Sequence, residues 1–159
     1  MADKKYSSVQ RVEYALKSQN IPTNVLDLPN STRTAKEAAA AVNCLVGQIV
    51  KSLVFQSVIS QQPILILTSG SNQVDEKLVG PQVGEQIQFA PAEFVREETG
   101  FAIGGVSPVG LKKDFPIYFD QDLLQYDLIW AAAGSHHAVF SIQPQVLVNS
   151  TGAIIIAVQ

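Results

Sequence analysis

Chemically versatile side chains are scarce in this chain. Among 159 residues there is one cysteine, one tryptophan, one methionine and two histidines. The lone Cys44 excludes an intrachain disulfide and any cysteine-based zinc site, and it fits a reducing compartment. Adjacent histidines and a single thiol make a poor ligand set, so neither a metal nor another cofactor is expected. Charge is thin as well, at 16% of residues with a net of −3. A broad electrostatic binder of duplex DNA needs a clearly basic face, so DNA is not an expected partner. The longest apolar runs, LIWAAA and AIIIAV, fall far short of the ~20 residues that span a bilayer. The opening MADKKYSSVQ has no apolar core of the kind a signal peptide carries. A soluble, cytoplasmic protein without membrane contact is expected.

What the chain does have is hydrophobic material, 47% of residues. That suffices for one packed domain over residues 1–159. Ser7 or Ser8 can cap a first helix with Val9, Val12 and Leu16 as its apolar stripe. TNVLDL is a short strand. Thr34 to Glu37 is a capping box that opens an alanine-rich helix through about Val42. A strand over Ile49–Val58 follows, then one at ILILT that is expected to be central. A short helix after SGSNQVDE is punctuated by Pro81 and Gly84, and Pro91 sits in the first turn of a helix ending before Gly100. PIYFD, DLIWAAAG, HAVFSI and AIIIAV are strands, with QDLLQ and QPQVLVNSTG as short helical segments. Helices and strands interspersed with several short connections imply a mixed α/β fold. Its sheet is expected to curl like a barrel inside a shell of helices.

Three stretches carry possible chemistry. In QIVKSLVF, alternation puts Ile49, Lys51, Leu53 and Phe55 on one face and Val50, Ser52 and Val54 on the other. Neither face is polar, so the strand is covered on both sides. Lys51 must then snorkel to water, pair with an acid, or face a cleft. In GFAIGGVSPVG, four glycines and a proline lie within eleven residues. Such a loop can aim several backbone N–H groups at an anion or oxyanion, or can be an ordinary turn. It matches neither a phosphate P-loop nor a dinucleotide fingerprint. In AAAGSHHAVF, small residues make room beside Gly134 and Ser135. Adjacent strand histidines would point to opposite faces, and the sequence is no nucleophile elbow. Asp120 reads as a cap, Trp130 and Phe140 as core, and Cys44 as a small buried hydrophobe. The charge is uneven: +2 over residues 1–80 and −5 over residues 81–159. Any basic patch for a nucleic-acid end belongs to the first half or to Lys112 and Lys113.

TAKEAAAAVNCLVGQIVKSLVF, TGFAIGGVSPVGL and IYFDQDLLQYDLIWAAAGSHHAVFSI together resemble the YbaK family. These are aminoacyl-tRNA editing domains related to the insertion domain of bacterial prolyl-tRNA synthetase. The similarity runs from about Ser8 to Val158. It implies a single mixed α/β domain with a barrel-like sheet, and trans-hydrolysis of mischarged aminoacyl-tRNA of the Ala-, Cys- or Pro-tRNA type. By the resemblance, the family's functional lysine falls on Lys51 as the catalytic residue. Its GxxxP loop falls on Gly104, Gly105, Val106, Ser107 and Pro108, and its glycine turn on Gly134, Ser135 and His136, as substrate-binding residues. The implied partners are the 3′ aminoacyl end of a mischarged tRNA and an aminoacyl-tRNA synthetase. The alternative is a non-catalytic homologue that binds tRNA or a synthetase.

Overall fold

The computed structural model describes residues 7–159; the reading of MADKKY as lacking a targeting core lies outside them. Among the described residues, five α-helices pack around one eight-stranded sheet. α1 (Ser8–Ser18) begins at Ser7, whose hydroxyl accepts from the Gln10 amide while the Gln10 side chain accepts from Ser7 N–H. α2 (Ala35–Val42) starts at the expected capping box of Thr34 and Glu37. Two amides that a helix N-terminus would otherwise leave bare are satisfied in each case. α3 (Glu76–Val83) is capped by Asp75 and runs through Pro81, ending only at Gly84 in the left-handed region. Pro81 therefore does not punctuate this helix: Gly84 does, because only a residue tolerant of positive φ closes the turn. α4 (Ala92–Thr99) has Pro91 just before its first turn rather than inside it, and α5 (Pro144–Thr151) ends at Gly152.

The strands are β1 (Leu26–Asp27), β2 (Ile49–Ser57), β3 (Pro63–Ser69), β4 (Ile87–Phe89), β5 (Ile117–Asp120), β6 (Ile129–Ser135), β7 (Ala138–Ile142) and β8 (Ile154–Ile156). Their order is β1-β7-β6-β2-β3-β5-β8, with β4 added to β2. The sheet is mixed: β2 is antiparallel to β3 and parallel to β6, and β5 is parallel to both β3 and β8. The mixed α/β architecture is the one expected. No pairing joins β1 to β8, so hydrogen bonds do not close the curl. β4 had no signal of its own, since three residues are too few for a periodic pattern.

β3 is central and buried at every position. β2 is covered on both faces, as its residues required. Val50 and Val54 join the main core with Leu65, Leu67, Phe119 and Phe140, under α1, α4 and α5. On the other face Phe55 packs with Ile64, Ile66 and Val79 of α3, and Ile49 packs with Ala38 and Ala39 of α2. Each fully buried aliphatic or aromatic side chain of this kind contributes about 1.5–3 kcal/mol.

Candidate functional site

The site begins as an interruption of the sheet. One edge of β2 pairs with β3 from Val50 to Gln56. Its other edge meets β6 only at Ile49 and Val50, and β4 only from Phe55 to Ser57. Val54 O is taken by Ala90 N–H on that same edge. Main-chain groups of alternate residues share an edge, so the amide and carbonyl of Ser52 face a gap with no strand to receive them. A cavity of about 690 Å³ occupies the gap. Lys51, Ser52, Gly104, Val106, Trp130 and Ser135 are among its walls.

Lys51 stands half-buried on this wall, and its Nζ donates to the Asn72 carbonyl at 2.6 Å. It forms no ion pair among the described residues. Burial lowers its pKa below the ordinary lysine value, and the nearby charge of Asp120 pulls it partly back. Asp120 is completely buried. Its carboxylate accepts from the Ser69 amide, the Asn72 side-chain amide and the Asp122 amide, each at 2.9 Å. Asp120 is thus the cap that was expected, and it has a second task. It pins Asn72, and the carbonyl of Asn72 in turn fixes the ammonium. Asn72 had no sequence signal, because it reaches Lys51 through its backbone and sits 21 residues away.

The glycine-rich loop and the glycine turn meet at this wall. A Cβ on Gly104, whose φ is +92°, would run into the imidazole of His136. A Cβ on Gly105 would come within 3.0 Å of the Ser135 backbone. The two glycines are therefore needed for close approach, and Gly104 also for its positive φ. Gly105 N–H is used internally, by Ala102 O. Gly104, Val106 and Ser107 N–H groups have no acceptor among the described residues. Ser107 is buried and its hydroxyl accepts from Val109 N–H. Pro108 faces a different hollow, beside Arg11 and Lys112, so its contact with the Lys51 cavity is corrected. Gly105, Ser107, Gly134 and His136 are not among the residues that line the cavity.

Several other expectations shift. His136 and His137 form the two-residue tip of the β6–β7 hairpin instead of a strand, so the opposite-face argument does not apply. Ala133 and Gly134 form a bulge on β6, and Gly134 takes φ +99° against the start of α1. Such bulges re-aim neighbouring side chains. Phe140 is core, but Trp130 is only partly buried and lines the cavity. Cys44 is half-buried, with its thiol pKa raised by burial. Among the described residues two buried side-chain polar atoms have no partner, Ser52 Oγ and His136 Nδ1. Buried polar groups are normally satisfied, and of these two residues Ser52 lines the cavity while His136 abuts Gly104.

Comparison with known proteins agrees with this geometry. Residues 29–149 match the family model of the aminoacyl-tRNA editing domain. A crystal structure described as a candidate trans-editing enzyme for prolyl tRNA synthetase superposes with a TM-score of 0.91 at 45% identity, covering 98% of this chain and 99% of that one. The uncharacterized protein YwhH of Bacillus subtilis is 29% identical over 140 residues, 88% of each chain. A protein of Enterococcus faecalis named as a candidate Cys-tRNA(Pro)/Cys-tRNA(Cys) deacylase, EbsC, is 26% identical over 119 residues, covering 74% of this chain and 72% of its own. The chain belongs to the aminoacyl-tRNA editing domain family.

Proposed function

We propose that this protein is a deacylase that hydrolyses the ester of a mischarged tRNA in trans. The observation that carries the reading is the convergence of Lys51, the Gly104–Val106 loop and the Ser135 turn on one cavity in the sheet. The family match and the trans-editing description of a close structural neighbour support the same substrate class.

In this reading the terminal ribose ester lies across the gap beside β2. Water attacks the acyl carbon, the bond from that carbon to the ribose oxygen breaks, and the ribose oxygen takes the proton. The Gly104 and Val106 amides stabilise the oxyanion, at roughly 3 kcal/mol per well-placed donor. Lys51 holds a phosphate or carbonyl oxygen as a point charge, in a setting where apolar Leu53 and Ile49 strengthen the contact. The ester is already activated, so holding the substrate in register supplies much of the rest. The test is a deacylation panel of alanyl-, prolyl- and cysteinyl-tRNA, cognate and non-cognate, with enzyme far below substrate. Many turnovers on one mischarged tRNA are expected. Protection of the ester, or no turnover on any member, would make the protein a binding module instead.

A further inference from the structure

The charged residues lining the cavity are Arg33, Lys36 and Lys51, and no aspartate or glutamate is among the lining residues. This happens in a chain with 14 acidic and 11 basic residues, so the local balance opposes the global one. Lys51 is half-buried, whereas Arg33 and Lys36 are solvent-exposed. Neither exposed cation belongs to an ion pair among the described residues. Glu37, on the same turn, has its carboxylate folded back onto the amides of Arg33 and Thr34.

Their position works against the fold. Arg33 precedes the cap of α2 and Lys36 sits in its first turn. That end of a helix carries partial positive charge and disfavours cations. A local rule broken without structural gain points to a functional demand. The placement is also held in register with the site. Thr32 gives both its amide and its hydroxyl to the His136 carbonyl, at 2.8 and 3.2 Å, so the start of α2 is tied to the hairpin tip behind Gly104.

We propose that Arg33 and Lys36 clasp the phosphodiester groups of the last nucleotides of an RNA 3′ end, while its terminal ester lies in the cavity beside Lys51. The proposal rests on the function given above and adds the residues that hold the polynucleotide. Arg33 offers a planar fork to a phosphate and Lys36 a mobile point charge. Depth separates the roles: the inner cation meets the terminal residue and the outer pair meets the backbone.

The double variant Arg33→Ala/Lys36→Ala tests it on the whole protein. Each single-strand phosphate contact adds about 0.7 to the log–log salt slope, so two contacts remove about 1.4 and are worth about tenfold in affinity at 0.15 M salt. KM for mischarged tRNA is expected to rise about tenfold at that salt with kcat within about twofold, and the salt slope to fall by about 1.4. On 3′-O-aminoacyl adenosine, which has no phosphodiester, the loss should shrink to within about twofold. Fluorescence anisotropy of an uncharged CCA-ended RNA hairpin gives a readout that needs no catalysis, and there too affinity should drop about tenfold. Unchanged hairpin affinity and salt slope overturn the clasp, whether or not the wild type is a deacylase. An equal loss on the adenosine ester also overturns it, since the cations would then serve the ester itself. A wild type that binds the hairpin through these cations yet hydrolyses no aminoacyl-tRNA overturns the deacylase reading alone.

Discussion

Replacing Lys51 by alanine separates chemistry from folding. The substitution deletes an ammonium bonded to Asn72 O at 2.6 Å. A hydrogen bond to a charged group contributes about 1.5–3 kcal/mol, which sets the upper limit of the loss. Against it stands the cost of holding an ammonium half out of water, visible as a pKa lowered chiefly by burial. The two oppose, so the net change should be within about 1 kcal/mol, or about 2–4 °C in Tm for a chain of this size. The pH dependence has a definite sign. Between the lowered folded pKa and the ordinary lysine value, the unfolded chain binds the proton that the folded one has lost. Stability of the wild type relative to the variant therefore rises with pH through that alkaline window, and falls back as pH drops through the folded pKa. Activity should behave differently. Losing a preorganised charged contact costs about 100-fold in turnover, or about 2.7 kcal/mol of barrier. Lys51→Arg should restore little, because the larger planar fork places its charge elsewhere. The assay is multiple-turnover deacylation of the preferred mischarged tRNA beside a thermal melt. A folded Lys51→Ala protein with near-normal turnover would refute the reasoning and leave Lys51 as a strand lysine that merely snorkels.

Four further outcomes are expected. Asp120→Asn removes the charge that raises the Lys51 pKa, so the alkaline limb of the rate profile should move to lower pH; an unmoved limb breaks the link between the two residues. Gly104→Ala drives a methyl group into the His136 ring at positive φ, and should cost roughly 1–3 kcal/mol by denaturant titration. Adding His136→Ala should recover only the steric part, and full recovery would show that φ is not strained. Ser52→Ala removes a buried hydroxyl without a partner and should be neutral or stabilising by up to about 1 kcal/mol in a melt, whereas a clear loss would mean the hydroxyl is satisfied. His137→Ala, at an exposed turn position, should change deacylation by less than about twofold, since it touches neither cavity nor core.

Much of the local structure follows from neighbouring residues. The boxes at Ser7 and Thr34, the glycine stops after α3, α4 and α5, and the apolar strands depend on spacings of a few residues, which a linear sequence displays directly. The two-sided burial of β2 was equally legible, since an apolar pattern with no polar face cannot border water. Lys51 stood out for the same reason, as the one ammonium in such a strand. Its setting was not legible. The gap beside Ser52 exists because β6 leaves β2 after Val50 and β4 joins it at Phe55, and those pairings link segments tens of residues apart. Asn72 entered the site through a carbonyl, a group every residue carries. The reason Gly104 must be glycine is the His136 ring, and the cavity side of Pro108 was settled by how the loop turns against α1. The sequence determined which segments form and which residues resist burial. Only the tertiary structure decided which of them share a cavity, because that depends on contacts between distant segments that no local pattern encodes.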